Sequence, residues 1–220
     1  MNARTQLFEL SMEGHQVDEA VASIFHTVLF HRSLGKFTYK DDAAGSYSVG
    51  SVGYQDVQCD FIDFTYVCCS SETLDRALKS KISSFSQALR SHDSPGSGQI
   101  SLEFFQRKRH TIPFYNECIP WEVWTLRLEL LKLATENERQ LCREKLSDML
   151  TEKIINVTEL MNRPHYTPRV PERQDLELIF DTSFEDVQPY LFRTTYFTNG
   201  PKATTVGSTV RKLFKETLSM

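Results

Sequence analysis

Residues 121–162 read WEVWTLRLELLKLATENERQLCREKLSDMLTEKIINVTELMN, a strand-like alternation followed by a helical repeat. In the first part, apolar and polar side chains alternate, which is typical of an antiparallel strand with one face in the core. In the second part, apolar residues recur every three or four positions, which predicts a long helix over 136–162. Thr135 and Glu138 match a capping box at its start. The stretch therefore predicts a sheet with a helix packed on it.

The flanking sequence adds two more helices and several strands to this unit. Apolar spacing predicts helices near 16–32 and 71–90. Further strands are predicted near 5–12, 57–69, 99–106 and 191–198, with a small hairpin at 37–49 and a terminal helix at 204–218. Because residues 57–69 carry apolar side chains on both faces, we predict that they form a central strand buried on both sides. The predicted class is α+β, a mainly antiparallel sheet with three main helices packed on it.

Length and composition indicate one globular domain that works in the cytoplasm. The chain has 220 residues, 40% of them hydrophobic and 25% charged, which is ordinary for a folded domain. A net charge of -4 and a pI near 5.9 make nucleic acid an unexpected partner. No apolar run approaches the roughly 18 residues that span a bilayer, so direct membrane insertion is not expected either. The five cysteines are odd in number and include no CxxC pair, which predicts a reduced, cytoplasmic protein.

Catalytic and metal-binding motifs are missing from the sequence, so we predict neither an enzyme nor a bound cofactor or metal. There is no GxSxG, P-loop, dinucleotide-binding or HExxH motif. Asp60 and Asp63 lie on the strand that is predicted to be buried. Either one carboxylate is a general acid or base, or both are structural and paired with a buried donor. Lys153, on the apolar face of the long helix, is the expected partner of such a charge pair, unless its ammonium group reaches water.

A basic run, Arg107-Lys108-Arg109-His110, joins two predicted strands. We interpret it as part of a solvated loop, with a nuclear signal or a phosphate site as the alternative. The residues that follow, TIPFY at 111–115, place apolar groups in the same loop. They either fold back onto the core or form an exposed tip that inserts into a partner, with Pro113 stiffening the backbone.

Six stretches of sequence carry a resemblance to one known family, and together they cover almost the whole chain. The two most specific strings are CDFIDFTYV at 59–67 and ECIPWEVW at 117–124. The full set is HRSLGKFTY (31–39), GSVGYQDVQCDFIDFTYV (50–67), ISLEFFQRK (100–108), NECIPWEVWT (116–125), EKIINVTELMNR (152–163) and DVQPYLF (186–192). On these strings the chain resembles the HORMA-domain subunits of the autophagy-initiation kinase complex.

The resemblance implies a HORMA fold over residues 1–220, with a core of about 1–163 and a C-terminal belt of about 164–220 that wraps the sheet. It also implies a non-catalytic adaptor that pairs with and stabilises the HORMA domain of autophagy-related protein 13 in the Unc-51-like kinase complex. Such an adaptor is cytoplasmic and is recruited to the phagophore assembly site, where autophagosome formation starts. A checkpoint or repair adaptor that captures a partner peptide under its belt is the nearest alternative. An enzyme using Asp60 or Asp63 is the alternative from another class.

Ile112, Pro113 and Phe114 match the recruiting element of the family, a protruding loop with a Trp-Pro-Phe tip that binds downstream autophagy factors. The tryptophan is replaced here by Ile112, which removes an amphipathic ring and its N–H donor. This departure leaves three alternatives open: weaker recruitment, recruitment that relies on Phe114, or a different partner.

Overall fold

The part of the chain that the structure describes forms ten strands and three α-helices. A computed structural model describes residues 3–40, 46–91, 96–108 and 117–198. The strands are β1 (Arg4–Met12), β2 (Ser33–Leu34), β3 (Phe37–Tyr39), β4 (Tyr47–Val49), β5 (Tyr54–Gln58), β6 (Thr65–Cys69), β7 (Ser97–Lys108), β8 (Glu117–Leu130), β9 (Gln188–Pro189) and β10 (Phe192–Thr198). The helices are α1 (Val17–His31), α2 (Glu72–Arg90) and α3 (Glu136–Asn162), with short 3₁₀ segments at Gly14–Gln16 and Arg173–Leu178.

The main sheet has four strands in the order β1-β8-β7-β10. β1 pairs with β8 in parallel, whereas the β8–β7 and β7–β10 pairs are antiparallel. On β8 the side chains of Trp124, Leu126 and Leu128 are fully buried, and those of Arg127 and Glu129 are exposed. The alternation predicted for this strand is therefore confirmed, as is the α+β class with a mainly antiparallel sheet and three main helices.

The three helices share one continuous hydrophobic core with the buried face of this sheet. α1 contacts α2, α3 and β6, which explains why ten of its fifteen residues are buried. The predicted capping box of α3 is present, because the Thr135 hydroxyl accepts from the N–H of Glu138 and the Glu138 carboxylate accepts from that of Thr135. Only Leu146, Leu150 and Val157 of α3 are fully buried. Within the described ranges, no helix is both long and apolar enough to cross a bilayer.

The central strand predicted over 57–69 is wrong. The chain instead forms an antiparallel hairpin of β5 and β6, and it reverses direction between them, where Cys59 donates its N–H to the carbonyl of Phe64. Asp60 and Phe61 donate their backbone N–H groups to the Glu19 carboxylate on α1, at 2.7 and 2.9 Å. These two bonds satisfy the backbone of a turn outside any sheet, which is why an apolar run here does not continue as a strand.

After α3 the chain continues as a mostly irregular segment, residues 164–191, that includes the 3₁₀ turn at Arg173–Leu178 and that we call the strap. Its β9 pairs antiparallel with β2, and an isolated bridge joins Phe180 to Tyr190. Phe184 and Val187 belong to the hydrophobic core, and Tyr190 packs against it, so the strap is held to the core by apolar contacts as well as by hydrogen bonds. The terminal helix predicted at 204–218 lies outside the described residues.

Candidate partner-binding site

The outer ends of β7 and β8 project from the main sheet as a two-stranded ribbon. The two strands pair from Ser97 with Glu129 to Lys108 with Glu117. β1 flanks β8 only from Glu122 onward, and β10 flanks β7 only as far as Phe104. The last four residue pairs, Phe105–Lys108 with Glu117–Pro120, therefore have no neighbouring strand within the described part of the chain. We call these pairs the arm, and at about 3.3 Å per residue the arm is about 13 Å long.

The predicted recruiting loop is connected to the end of this arm. Lys108 and Glu117 form its last described pair, and residues 109–116 between them lie outside the described residues. Ile112, Pro113 and Phe114 all belong to that stretch, so their contacts stay predictions. The basic residues Arg107 and Lys108 are exposed, as expected for the solvated part of the predicted loop, although they belong to β7.

A β-bulge marks the root of the arm. The register shifts between Phe104 and Phe105, which face Glu122 and Pro120, so Trp121 is an extra residue on β8. The bulge breaks the usual alternation, and both Trp121 and Glu122 are buried, at 5% and 0% exposure. Trp121 packs against the rings of Phe104 at 5.6 Å and Tyr190 at 5.2 Å. The arm therefore leaves the sheet from a packed aromatic cluster.

A buried ion pair lies beside this cluster. Arg32, directly after α1, donates from Nε and Nη2 to the two carboxylate oxygens of Glu122, at 3.1 and 2.8 Å. Trp124 donates its indole N–H to Oε1 of the same carboxylate at 2.7 Å. The Arg32 guanidinium also lies 5.7 Å from the centre of the Trp121 ring. Bidentate geometry and a third donor satisfy Glu122, which is the condition under which a charge pair persists in a core.

The strap is attached to the same ion pair. Nε2 of His165 lies 2.9 Å from Nη2 of Arg32. A guanidinium can only donate, so the imidazole accepts this hydrogen bond as its neutral form. Burial lowers the pKa of His165, and the positive charges of Arg4 and Arg32 lower it further. One polar network thus joins three parts of the fold: the end of α1, the strand β8 and the strap.

Lys153 does not form the predicted buried charge pair with Asp60 or Asp63. Its Nζ binds the Glu152 carboxylate at 2.9 Å, and Glu152 is 72% exposed. The same ammonium lies 5.9 Å from the centre of the Phe8 ring, at the edge of the core. Both aspartates are exposed on the turn between β5 and β6. The predicted pairing with Asp60 or Asp63 is wrong, because the ammonium group binds an exposed carboxylate on its own helix instead.

Replacing Lys153 with methionine should therefore change the free energy of unfolding by less than about 1 kcal/mol, because an ion pair with an exposed carboxylate contributes little and methionine keeps most of the apolar stem. Replacement with alanine removes the stem and should cost more. Chemical denaturation of both variants measures the difference. A loss of several kcal/mol in Lys153→Met would show that the ammonium group is buried and paired.

A shallow groove of about 580 Å³ separates the β5–β6 turn from the N-terminal half of α3. Asp60 and Asp63 line it, together with Glu136, Glu144, Asp148 and Arg143. Ser147 closes one side by donating its hydroxyl to the Asp63 carbonyl. Cys59 also lines the groove, and burial raises the pKa of its thiol to about 12, so it is not a thiolate at neutral pH. In the described ranges no group of three His, Cys, Asp or Glu residues could hold a metal ion.

Arg32, Glu122 and His165 were not predicted from the sequence as a site. Arg32 and Glu122 are separated by 90 residues, and no local pattern links them. One signal was present: Glu122 stands between two tryptophans in a strand whose alternation places it on the apolar face. A carboxylate at such a position requires a buried cation or other donor, so the sequence alone indicated that Glu122 has a buried partner.

Comparisons with known proteins agree with one another. The family model for autophagy-related protein 101 matches residues 9–174. The autophagy-related proteins 101 of Xenopus tropicalis and Homo sapiens are each 52% identical to this chain over 220 residues, with full coverage of both sequences. The protein of that name from Arabidopsis thaliana is 28% identical over 129 residues, covering 58% of this chain and 53% of its own length.

The family match spans β1 to the middle of the strap, including β7, β8 and the bulged root of the arm. The full-length identities extend it over the whole sequence, which also confirms the resemblance drawn from the six sequence strings. Such identity supports a role in autophagy. The chain belongs to the autophagy-related protein 101 family.

Proposed function

We propose that this protein is a non-catalytic HORMA adaptor that pairs with and stabilises the HORMA domain of autophagy-related protein 13. In this role it belongs to the Unc-51-like kinase complex, is cytoplasmic, and is recruited to the phagophore assembly site. Family membership supports the autophagy role. The four-stranded sheet, the three main helices and the strap are compatible with a HORMA domain whose core ends near residue 163 and whose belt follows.

The observation that carries the recruiting part of the proposal is the arm. Its outer pairs are exposed at Arg107, Lys108, Glu117 and Cys118, and no described strand flanks them. A ribbon that leaves the sheet can present its connecting loop to a partner without disturbing the core. We propose that Ile112, Pro113 and Phe114, in the loop joined to the arm, contact downstream autophagy factors.

The absence of catalysis is part of the proposal. The groove beside Asp60 and Asp63 contains carboxylates, one guanidinium and a thiol that stays protonated. Histidine is absent from its described lining, so the groove lacks the commonest general base. A shallow, strongly acidic surface of this kind is better suited to a solvated face than to a substrate pocket, which is typically apolar and concave.

Pairing with the HORMA partner is the expected outcome of co-expression. Alone, the chain should elute as a monomer or a weakly associated species; with the HORMA domain of autophagy-related protein 13 it should form a one-to-one complex on size-exclusion chromatography with light scattering. Because a partner that binds only the folded state stabilises it by mass action, that HORMA domain should also melt at a higher temperature in the complex. A HORMA domain from a checkpoint protein serves as the control. A stable homodimer that ignores autophagy-related protein 13 would contradict the proposal.

A further inference from the structure

The arm lacks the neighbours that normally stabilise a pair of strands. An isolated two-stranded hairpin is marginally stable in water, because each strand has only one hydrogen-bonded partner. The four pairs of the arm extend past both β1 and β10, so the main sheet supports them only at their root. Something else in the fold has to limit the directions that the arm can take.

We infer that the strap braces the arm and fixes the direction in which it projects from the sheet, with Tyr166 as the principal positioning residue. The functional meaning of this brace rests on the proposed recruiting role, because residues 109–116 connect the two strands of the arm. The brace itself is a property of described residues and can be measured without any partner.

The first support is a contact at the second pair of the arm. The Tyr166 hydroxyl lies 3.3 Å from Oε1 of Gln106 on β7, where it donates a hydrogen bond. Tyr166 is 47% exposed, so its ring lies along the flank of the arm rather than in the core. A half-exposed tyrosine bonded to a residue 60 positions away contributes little to the core, but it restrains the strand of the arm that it binds.

The second support is at the other end of the strap. Phe105, the first residue of the arm on β7, donates its N–H to the carbonyl of Leu191 at 3.0 Å. The Arg193 guanidinium, just beyond the strap, covers the Phe105 ring at 5.6 Å from its centre. The two ends of the strap therefore both contact the arm: Leu191 binds its first residue pair and Tyr166 binds its second.

The third support is that the strap is itself fixed where it meets the arm. His165, next to Tyr166, binds Arg32 of the buried ion pair at 2.9 Å. Tyr190, next to Leu191, packs its ring edge-on against Trp121 in the bulge. Each strap residue that contacts the arm is thus next in sequence to a strap residue that contacts the root of the arm. A brace can restrain a mobile ribbon only if it has such a fixed point.

The test uses two variants of Tyr166 and a spin label on Cys118. Cys118 lies on the arm and is the exposed cysteine among five, and Cys142→Ala removes the half-buried one from labelling. Tyr166→Phe removes only the hydroxyl, and Tyr166→Ala removes the whole contact. In both variants we expect the spin label on Cys118 to move faster. We also expect amide hydrogen exchange at Phe105–Lys108 to be about three- to tenfold faster, because losing one hydrogen bond changes an equilibrium by about that factor. Melting temperature should shift by no more than about 2 °C.

Tyr54→Ala is the matched control, because Tyr54 is 69% exposed and lies on β5, which pairs with β6 and with neither strand of the arm. Gln106→Ala should loosen the arm as much as Tyr166→Phe does, and combining the two should add little more. Unchanged label motion and exchange in both Tyr166 variants would overturn the inference, as would equal loosening in Tyr54→Ala. A loosened arm with intact recruitment of autophagy factors would uphold the brace and show that recruitment does not depend on it. The recruiting role itself would fail if Ile112→Ala/Phe114→Ala, with Tyr166 unchanged, recruited normally.

Discussion

Replacing Glu122 with glutamine is expected to lower the free energy of unfolding by about 3–5 kcal/mol, because the substitution leaves the Arg32 guanidinium buried without a counter-charge. The two side chains are 1% and 6% exposed, and the pair is bidentate, so water cannot replace the lost carboxylate. At about 2–4 °C per kcal/mol for a chain of this size, the melting temperature should fall by roughly 6–20 °C. Thermal and urea unfolding of the purified variant measure both quantities.

Glu9→Gln is the matched control for this experiment. Glu9 pairs with Arg127 across β1 and β8 of the same sheet, but the two side chains are 65% and 55% exposed. Surface pairs contribute about 0–1 kcal/mol, so this variant should unfold almost as the parent does. A double variant, Arg32→Met with Glu122→Leu, should recover part of the loss, because it removes both charges together. Equal, small losses in Glu122→Gln and Glu9→Gln would show that the Glu122 pair is accessible to water.

The double variant Ile112→Ala/Phe114→Ala is expected to weaken recruitment of downstream autophagy factors by roughly two orders of magnitude or more. Burying Phe114 in a partner pocket contributes about 1.5–3 kcal/mol, and Ile112 a similar or smaller amount. Each 1.4 kcal/mol or so corresponds to a tenfold change in affinity. Pro113 limits the conformations of the loop, which lowers the entropy lost on binding. Binding of the paired HORMA complex to immobilised autophagy factors measures the effect.

Folding and HORMA pairing should be unchanged in this variant, since exposed side chains away from special features alter stability by about 0.5 kcal/mol or less. Tyr54→Ala/Val67→Ala is a suitable control, because it removes two apolar side chains from the β5–β6 hairpin that are 69% and 37% exposed. That control should recruit normally. A large fall in the melting temperature of the loop variant would show that Ile112 and Phe114 belong to the core, and the recruiting proposal would fail.

Helices and the alternating strand could be predicted from the sequence because their signals are local. The spacing of apolar residues and the Thr135–Glu138 capping box predicted α3 over 136–162, and the structure has the same bounds. The alternation in β8 likewise predicted which side chains are buried. Each of these signals involves residues within four positions of one another, so no knowledge of distant partners was needed. Six short strings also sufficed to recognise the family.

The error at 57–69 shows where local signals fail. An apolar run with both faces hydrophobic fits a buried strand, but it also fits a hairpin whose turn is bound from outside. Here Glu19, about 40 residues earlier, binds the N–H groups of Asp60 and Phe61, and these two bonds stabilise the turn. The exposed aspartates on this turn then leave Lys153 without a buried counter-charge. The contact of Glu19 with this turn thus bears on two predictions that are wrong, the central strand at 57–69 and the buried pairing of Lys153.

The sequence by itself determined the fold class, the three main helices, the family and the stretch that holds the predicted recruiting loop. Only the tertiary structure decided that β7 and β8 extend beyond the strands beside them. Their unflanked length depends on where β1 begins to pair with β8 and where β10 begins to pair with β7. It also decided that Arg32, Glu122 and His165 meet at the root of the arm. The physical reason is range: periodicity and capping act within a few residues, whereas a charge is buried only when elements distant in sequence fold around it.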